Sequence, residues 1–129
     1  MPDPAVLDTS VVLALLFEEP GAQIVARLLN DPTLIGTVNL SEAHAKLIER
    51  GRIPDDAWIA LRSLGCEIVP LLEDHARIAA ELITITRRLG LSLGDRACLA
   101  LAIERKAKVY TADRNWKDLS LDIEIEVIR

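Results

Sequence analysis

Short apolar runs alternate with longer segments of helical periodicity along this chain, so its hydrophobic pattern reads as strand, helix, strand, helix. Ala5 to Leu7 forms a first strand ending at Asp8, and a helical run opens at Ser10 and continues through Phe17. Pro20 suits the first position of a second helix, along which Ile24, Leu28 and Leu29 recur at helical spacing. Thr33 to Val38 reads as the second strand. Asn39 then stands three positions before Glu42, a capping-box spacing that starts a helix running to Arg50 and stopping at Gly51.

Pro54 opens another helix, with Trp58, Leu61 and Leu64 on one face and Gly65 as its stop, and Cys66 to Leu72 is the third strand. The longest helix is predicted over Asp74 to Leu89, with Ile78, Ala79, Leu82 and Ile85 toward the core. Ser92 caps the next helix and places Asp95 at its third position. Ala97 to Ile103 is apolar on every side, so that helix is expected to be largely buried. Lys108 to Thr111 is the fourth strand, a turn follows at Asp113, and Ile123 to Ile128 alternates apolar and acidic residues as a half-exposed edge strand. The rhythm predicts a three-layer α/β/α architecture, one domain over residues 1–129, with a central, mainly parallel sheet of about five strands.

Composition narrows the functions this frame can carry. Half of the 129 residues are hydrophobic, enough for a sizeable core, but only 3% are aromatic, which leaves little material for base-stacking platforms. No Lys or Arg precedes Arg27, and the apolar run from Val11 to Phe17 is short and follows Asp8. Neither a signal peptide nor a membrane span is expected, and the location implied is cytoplasmic. Cys66 and Cys98 fit neither a metal-ligand spacing nor a disulfide framework and read as small buried apolar residues. The net charge of -5 weighs against a nucleic-acid partner, yet residues 87–117 carry eight basic side chains against three acids. That segment offers Arg96, Arg114 and Lys117 as phosphate contacts, although a solvated helix face has the same composition.

In open parallel sheets ligands bind beyond the carboxyl ends of the strands. Four acids map to that edge: Asp8 ends the first strand, Asp113 follows the fourth, and Glu42 and Asp95 each fall in the first turn of a helix entered from the same side. A first-turn carboxylate also stabilises a helix by itself, so Glu42 and Asp95 each have a purely structural explanation. Asp8, between apolar segments, does not. If all four converge, their repulsion calls for protonation or for bound cations, and an all-oxygen site suits Mg²⁺ or Mn²⁺. His44 lies two positions from Glu42 and points elsewhere on its helix, and His75 stands on a different helix, so both read as surface or packing residues. Trp58 and Trp116 read as packing groups, and no glycine-rich phosphate loop is present.

The segments Val6-Leu7-Asp8-Thr9-Ser10, Leu40-Ser41-Glu42, Leu91-Ser92-Leu93-Gly94-Asp95 and Thr111-Ala112-Asp113-Arg114-Asn115-Trp116, in that order and at this length, resemble the PIN domains. Among these they are most similar to the VapC-type toxins of toxin-antitoxin pairs. The resemblance implies a metal-dependent endoribonuclease whose Asp8, Glu42, Asp95 and Asp113 bind one or two Mg²⁺ or Mn²⁺ ions and carry catalysis. It further implies an RNA substrate, a cognate VapB-type antitoxin and a homodimer. Thr9, Ser10 and Thr111 support the site through their hydroxyls on this reading, or serve as caps and turn bonds on the structural one. Asn115 reads as a turn residue that can also support the site, and Asp118 is an alternative to Asp113 after the fourth strand. Two other functions compete: a stand-alone RNA-processing PIN nuclease, and a receiver-like phosphoacceptor module. The latter needs an Asp after the third strand, where Leu71 and Leu72 stand.

Overall fold

The computed structural model describes residues Asp3 to Arg129. Five parallel strands, β1 (Ala5–Leu7), β2 (Thr33–Gly36), β3 (Glu67–Val69), β4 (Val109–Thr111) and β5 (Ile125–Val127), form one sheet in the order β3-β2-β1-β4-β5. The register aligns Val6 with Leu34 on one side and with Val109 on the other. The chain leaves β1 toward β2 and later returns to its opposite side as β4, so the switch point of the sheet lies between β1 and β4. Asp8 follows one of these strands directly and Asp113 follows the other by two residues.

Alternation along the strands builds two cores. Leu7, Ile35 and Tyr110 face one layer, where they pack with α1 (Thr9–Leu16), α2 (Ala22–Leu28), α3 (Thr37–Glu49) and α4 (Pro54–Arg62). Their neighbours Val6, Leu34 and Val109 face the other layer, against Leu82, Leu99, Leu101 and Trp116. That layer contains α5 (Glu73–Glu81), the single turn α6 (Ile83–Thr86), α7 (Leu93–Arg105) and a 3-10 turn over Arg114–Asp118. Burial of each such side chain contributes about 1.5–3 kcal/mol. The three-layer expectation and the five-stranded sheet are both met. Among the described residues no helix is long and apolar enough to cross a membrane.

The local differences from the sequence pattern have identifiable causes. Pro20 stays outside α2, whose N-cap is Gly21 in the left-handed region at φ 97°, a conformation that favours glycine. β2 stops at Gly36, so Thr37 and Val38 begin α3, Asn39 is its third residue and the Asn39-Glu42 capping box does not form. β3 is three residues long rather than seven, because Pro70 has no N–H to extend the ladder. The predicted helix from Asp74 to Leu89 is broken into α5, α6 and a 3-10 turn at Arg87–Leu89. Its β-branched run Ile83-Thr84-Ile85-Thr86 is a poor helix former, and the Thr86 hydroxyl bonds back to the Leu82 carbonyl at 2.9 Å. Ile85 is therefore exposed rather than in the core. Cys98 is fully buried as expected, whereas Cys66 is only partly so.

Candidate functional site

Asp8 occupies the N-cap of α1 in an extended conformation, but its side chain does not cap that helix. Its carboxylate is buried and turned toward β4 instead. Oδ2 accepts hydrogen bonds from the Ser10 hydroxyl at 2.6 Å and the Thr111 hydroxyl at 3.0 Å. Each hydroxyl is itself fixed by a backbone donor: Ala112 N–H to Ser10 Oγ at 2.9 Å, and Asp113 N–H to Thr111 Oγ1 at 3.1 Å. The segment after β4 thus orients both hydroxyls so that their protons point at a single carboxylate oxygen. The other oxygen, Oδ1, is buried and has no hydrogen-bond partner. Burial pushes the Asp8 carboxyl up from 3.8 to about 6, against the lowering effect of Ser10, with the negative charge of Asp95 adding to the rise.

Glu42 is the sixth residue of α3, beyond the first turn, so its expected role at the helix start falls away. Its Oε1 accepts from the Thr9 hydroxyl at 2.8 Å and from Asn39 Nδ2 at 3.5 Å. Asn39 is almost wholly buried, and its amide also donates to Thr9 Oγ1 at 3.1 Å and to the Gly94 carbonyl at 3.2 Å. One side chain thereby ties together the starts of α1 and α7 and the carboxylate on α3. Gly94 completes the fit, because a Cβ there would overlap the Glu42 carboxylate.

Asp95 adopts the predicted capping box. Its Oδ2 accepts from Ser92 N–H at 2.9 Å while Ser92 Oγ accepts from Asp95 N–H at 3.2 Å. Asp8, Glu42 and Asp95 line one cleft of about 370 Å³ together with Thr9, Ser10, Leu13, Ala45, Lys46 and Glu49. Asp113 is not on that lining. Its carboxylate accepts from Asn115 N–H at 2.9 Å and caps the 3-10 turn, so three of the four acids share the cleft and the fourth is linked to Asp8 only through its backbone N–H and the Thr111 hydroxyl. Asn115 acts in this turn through its backbone, and Asp118 ends the turn on the exposed surface, which leaves Asp113 as the acid joined to the Asp8 network.

The basic segment does not assemble at this cleft. Arg96 Nη1 donates to the Ala79 carbonyl of α5 at 2.8 Å, which turns its guanidinium into the protein rather than toward a ligand. Arg105 and Lys106 lie at the far end of α7, roughly 15 Å along its axis from Asp95. Lys108 pairs with Glu124 at 3.0 Å and Glu126 at 2.7 Å. Arg114 is exposed and donates to the Arg129 carbonyl at 3.2 Å, and Lys117 is exposed on the same turn. Neither histidine reaches the site: His44 stacks obliquely on Trp58, and buried His75 accepts the Leu72 N–H and meets Glu104 at 2.7 Å. After β3 the chain continues as Pro70 and Leu71, so the phosphoacceptor acid of a receiver module has no counterpart.

The PIN resemblance implies a divalent metal, and the chemistry of the oxygens around Asp8 is compatible with one. Among the described residues no three His, Cys, Asp or Glu side chains stand close enough together to hold a metal ion as they are, so Asp8, Glu42 and Asp95 would have to draw in around one. The orphaned Asp8 Oδ1, however, is a buried anionic oxygen in want of a cation, and the donors around it are hard oxygens, which match Mg²⁺ or Mn²⁺.

The parallel 3-2-1-4-5 sheet with acids at its switch point defines the class, and residues 5–121 match the family model of the PIN domain. The chain belongs to the PIN domain family. Its fold is shared by toxin-antitoxin proteins. VapBC from Salmonella typhimurium, solved bound to DNA, superposes with a TM-score of 0.75 at 17% identity, over 98% of each chain. VapBC-5 from Mycobacterium tuberculosis gives 0.64 at 25% identity, over 98% of this chain and 99% of that one. VapC20 from Mycobacterium tuberculosis, described as a toxin cleaving the sarcin-ricin loop, gives 0.72 at 15% identity, over 93% and 98%. No curated protein matches the chain in sequence.

Proposed function

We propose that this chain is a metal-dependent endoribonuclease, the toxin of a type II toxin-antitoxin pair, acting as one PIN domain over residues 1–129 in the cytoplasm. The observation that carries the reading is the Asp8 carboxylate: one oxygen is fixed by two oriented hydroxyls, the other is buried and unpartnered, and the residue lines a cleft shared with Glu42 and Asp95. Asp8, Glu42 and Asp95 would hold Mg²⁺ or Mn²⁺, with Asp113 as the fourth acid of the set. The bound ion supplies polarisation of a phosphoryl oxygen and activation of water for phosphodiester hydrolysis.

The chain's own residues prepare that chemistry. Ser10 and Thr111 hold Asp8 in one orientation, Thr9 and Asn39 hold Glu42, and Ser92 holds Asp95, so the carboxylates are set before substrate arrives. Arg114 and Lys117, exposed on the turn that Asp113 caps, would contact RNA outside the cleft. Exposed Ile53 and Ile59, together with Trp58, supply apolar surface for a second copy or an antitoxin. An antitoxin would inhibit by presenting a basic side chain to the acids.

Asp8→Asn and Asp95→Asn are expected to abolish RNA cleavage in Mg²⁺ or Mn²⁺ while leaving the circular dichroism spectrum intact. Full cleavage by both variants in chelator-treated buffer would refute the assignment. Genomic context separates the toxin from a stand-alone processing nuclease: an adjacent small reading frame encoding a DNA-binding antitoxin is expected.

A further inference from the structure

A cleft lined by Asp8, Glu42, Asp95 and Glu49 repels a polyanion, and a bound metal offsets that repulsion only at the phosphate it touches. The phosphates beside the scissile one need a cation from the protein. The basic segment does not provide it inside the cleft, because none of the basic residues between 87 and 117 is on its lining and Arg96 is engaged with Ala79. Among the described residues one basic side chain lines the cleft, and that is Lys46. It follows Glu42 by four residues on α3, so the two share a face and stand one turn apart, roughly 6 Å along the axis. Its side chain is exposed and, among the described residues, forms no ion pair within 4.0 Å. Leu13 from α1 and Ala45 complete an apolar wall beside it.

The geometry points to Lys46 as a substrate-positioning residue that binds the RNA phosphate adjacent to the scissile one, setting the direction in which a single strand crosses the acids. This assignment rests on the ribonuclease reading. Lys46 acts as a point charge on the backbone, so it contributes to affinity for every sequence alike and leaves base preference untouched. The strand would pass from the metal-binding acids along α3 between Leu13 and Lys46. Glu49, the next acid along α3, limits the favourable ground for the backbone to the single turn between Glu42 and Lys46. A purely structural role also exists for a lysine here, since Lys46 lies in the last turn of α3, where positive charge favours the helix C-terminus.

The two roles separate in the salt dependence. Binding of an uncleavable 2′-O-methyl RNA oligonucleotide is measured by fluorescence anisotropy over a KCl series for wild type, Lys46→Gln and Lys46→Arg. Cleavage of the matching RNA in Mg²⁺ is followed in parallel. Lys46→Gln is expected to reduce the slope of log affinity against log salt by about 0.7, the value of one single-strand phosphate contact. It should raise Kd and KM by the same factor for unrelated sequences, while kcat stays within about twofold of wild type. Lys46→Arg should restore the wild-type slope. An unchanged slope and Kd in Lys46→Gln would overturn the assignment even if its melting temperature falls, since that pattern is the helix-end role. Wild-type protein that neither binds nor cleaves RNA would overturn the ribonuclease reading itself, a failure visible without any Lys46 variant.

Discussion

Raising the pH of metal-free protein from roughly 4 to 7.5 deprotonates Asp8 in a place where burial opposes the charge. In the unfolded chain the group titrates near 3.8, and in the folded protein at about 6. Between those values the folded state holds a proton that the unfolded state has released, so stability falls as pH rises through this window. It is nearly unaffected below the lower value and fully reduced above the upper one. The gap, at about 1.36 kcal/mol per pH unit, is a penalty of roughly 3 kcal/mol at neutral pH. Asp8→Asn removes the titration. Its amide places an unpaired donor where Oδ1 was, which adds a cost that does not vary with pH. Urea denaturation of both proteins in chelator across this range is the assay. The wild type should lose about 2 to 3 kcal/mol relative to the variant as pH rises, and saturating Mg²⁺ should flatten the wild-type dependence, because a cation at the carboxylate stabilises the folded anion. Parallel curves for the two proteins would show that Asp8 is not buried as a strained carboxylate and would remove the main support for a metal there.

Three further substitutions probe the scaffold of the site. Gly94→Ala should displace the Glu42 carboxylate and weaken metal binding and RNA cleavage at least tenfold, with little change in melting temperature, measured by metal titration and a cleavage assay. Asn39→Ala leaves the Gly94 carbonyl and the Thr9 hydroxyl without their amide donor, and should lower unfolding free energy by about 1–3 kcal/mol in a denaturant titration while also reducing cleavage. His75→Phe leaves the Leu72 N–H at the start of α5 unpaired and should destabilise by a similar amount, about 1–3 kcal/mol, without affecting cleavage in excess metal.

The layer order and the edge of the sheet that carries the acids were legible because they follow from periodicity: Val6 and Leu7 face opposite cores, as alternation requires. The Ser92-Asp95 capping box was legible for the same reason, being a local pattern with a local partner. Asn39 shows the limit. Its spacing to Glu42 is that of a capping box, and sequence offers no means of knowing that β2 ends early at Gly36 and that the N-cap moves back three residues, from Asn39 to Gly36. That shift turns Asn39 away from the helix terminus and into the protein, where its partners are 30 and 55 positions distant. Gly94 was equally silent, since its meaning lies in a carboxylate from another helix. The charge count of residues 87–117 does not by itself locate a surface, because the 13-residue helix α7 sets Asp95 and Arg105 at its opposite ends.

The same contrast explains why the acids alone are a weak signal and their partners a strong one. Asp8 on a loop would be solvated and would need nothing. Here Ser10 and Thr111 spend their donors on one oxygen and their acceptors on Ala112 and Asp113 N–H, so neither hydroxyl has a proton left for Oδ1. Stability by itself favours replacing such an oxygen with an apolar or neutral group, since a buried carboxylate that lacks a partner costs more than it contributes. A hydroxyl pair that fixes the anion without neutralising it leaves the charge to be met by a proton, as the rise of the Asp8 carboxyl to about 6 reflects, or by a cation from outside. Arg96, half-buried and next to Asp95 in sequence, donates to the Ala79 carbonyl instead, with its own Nε unsatisfied. Its guanidinium is thus committed to α5, and the Asp8 charge is left open to a cation that comes from solution.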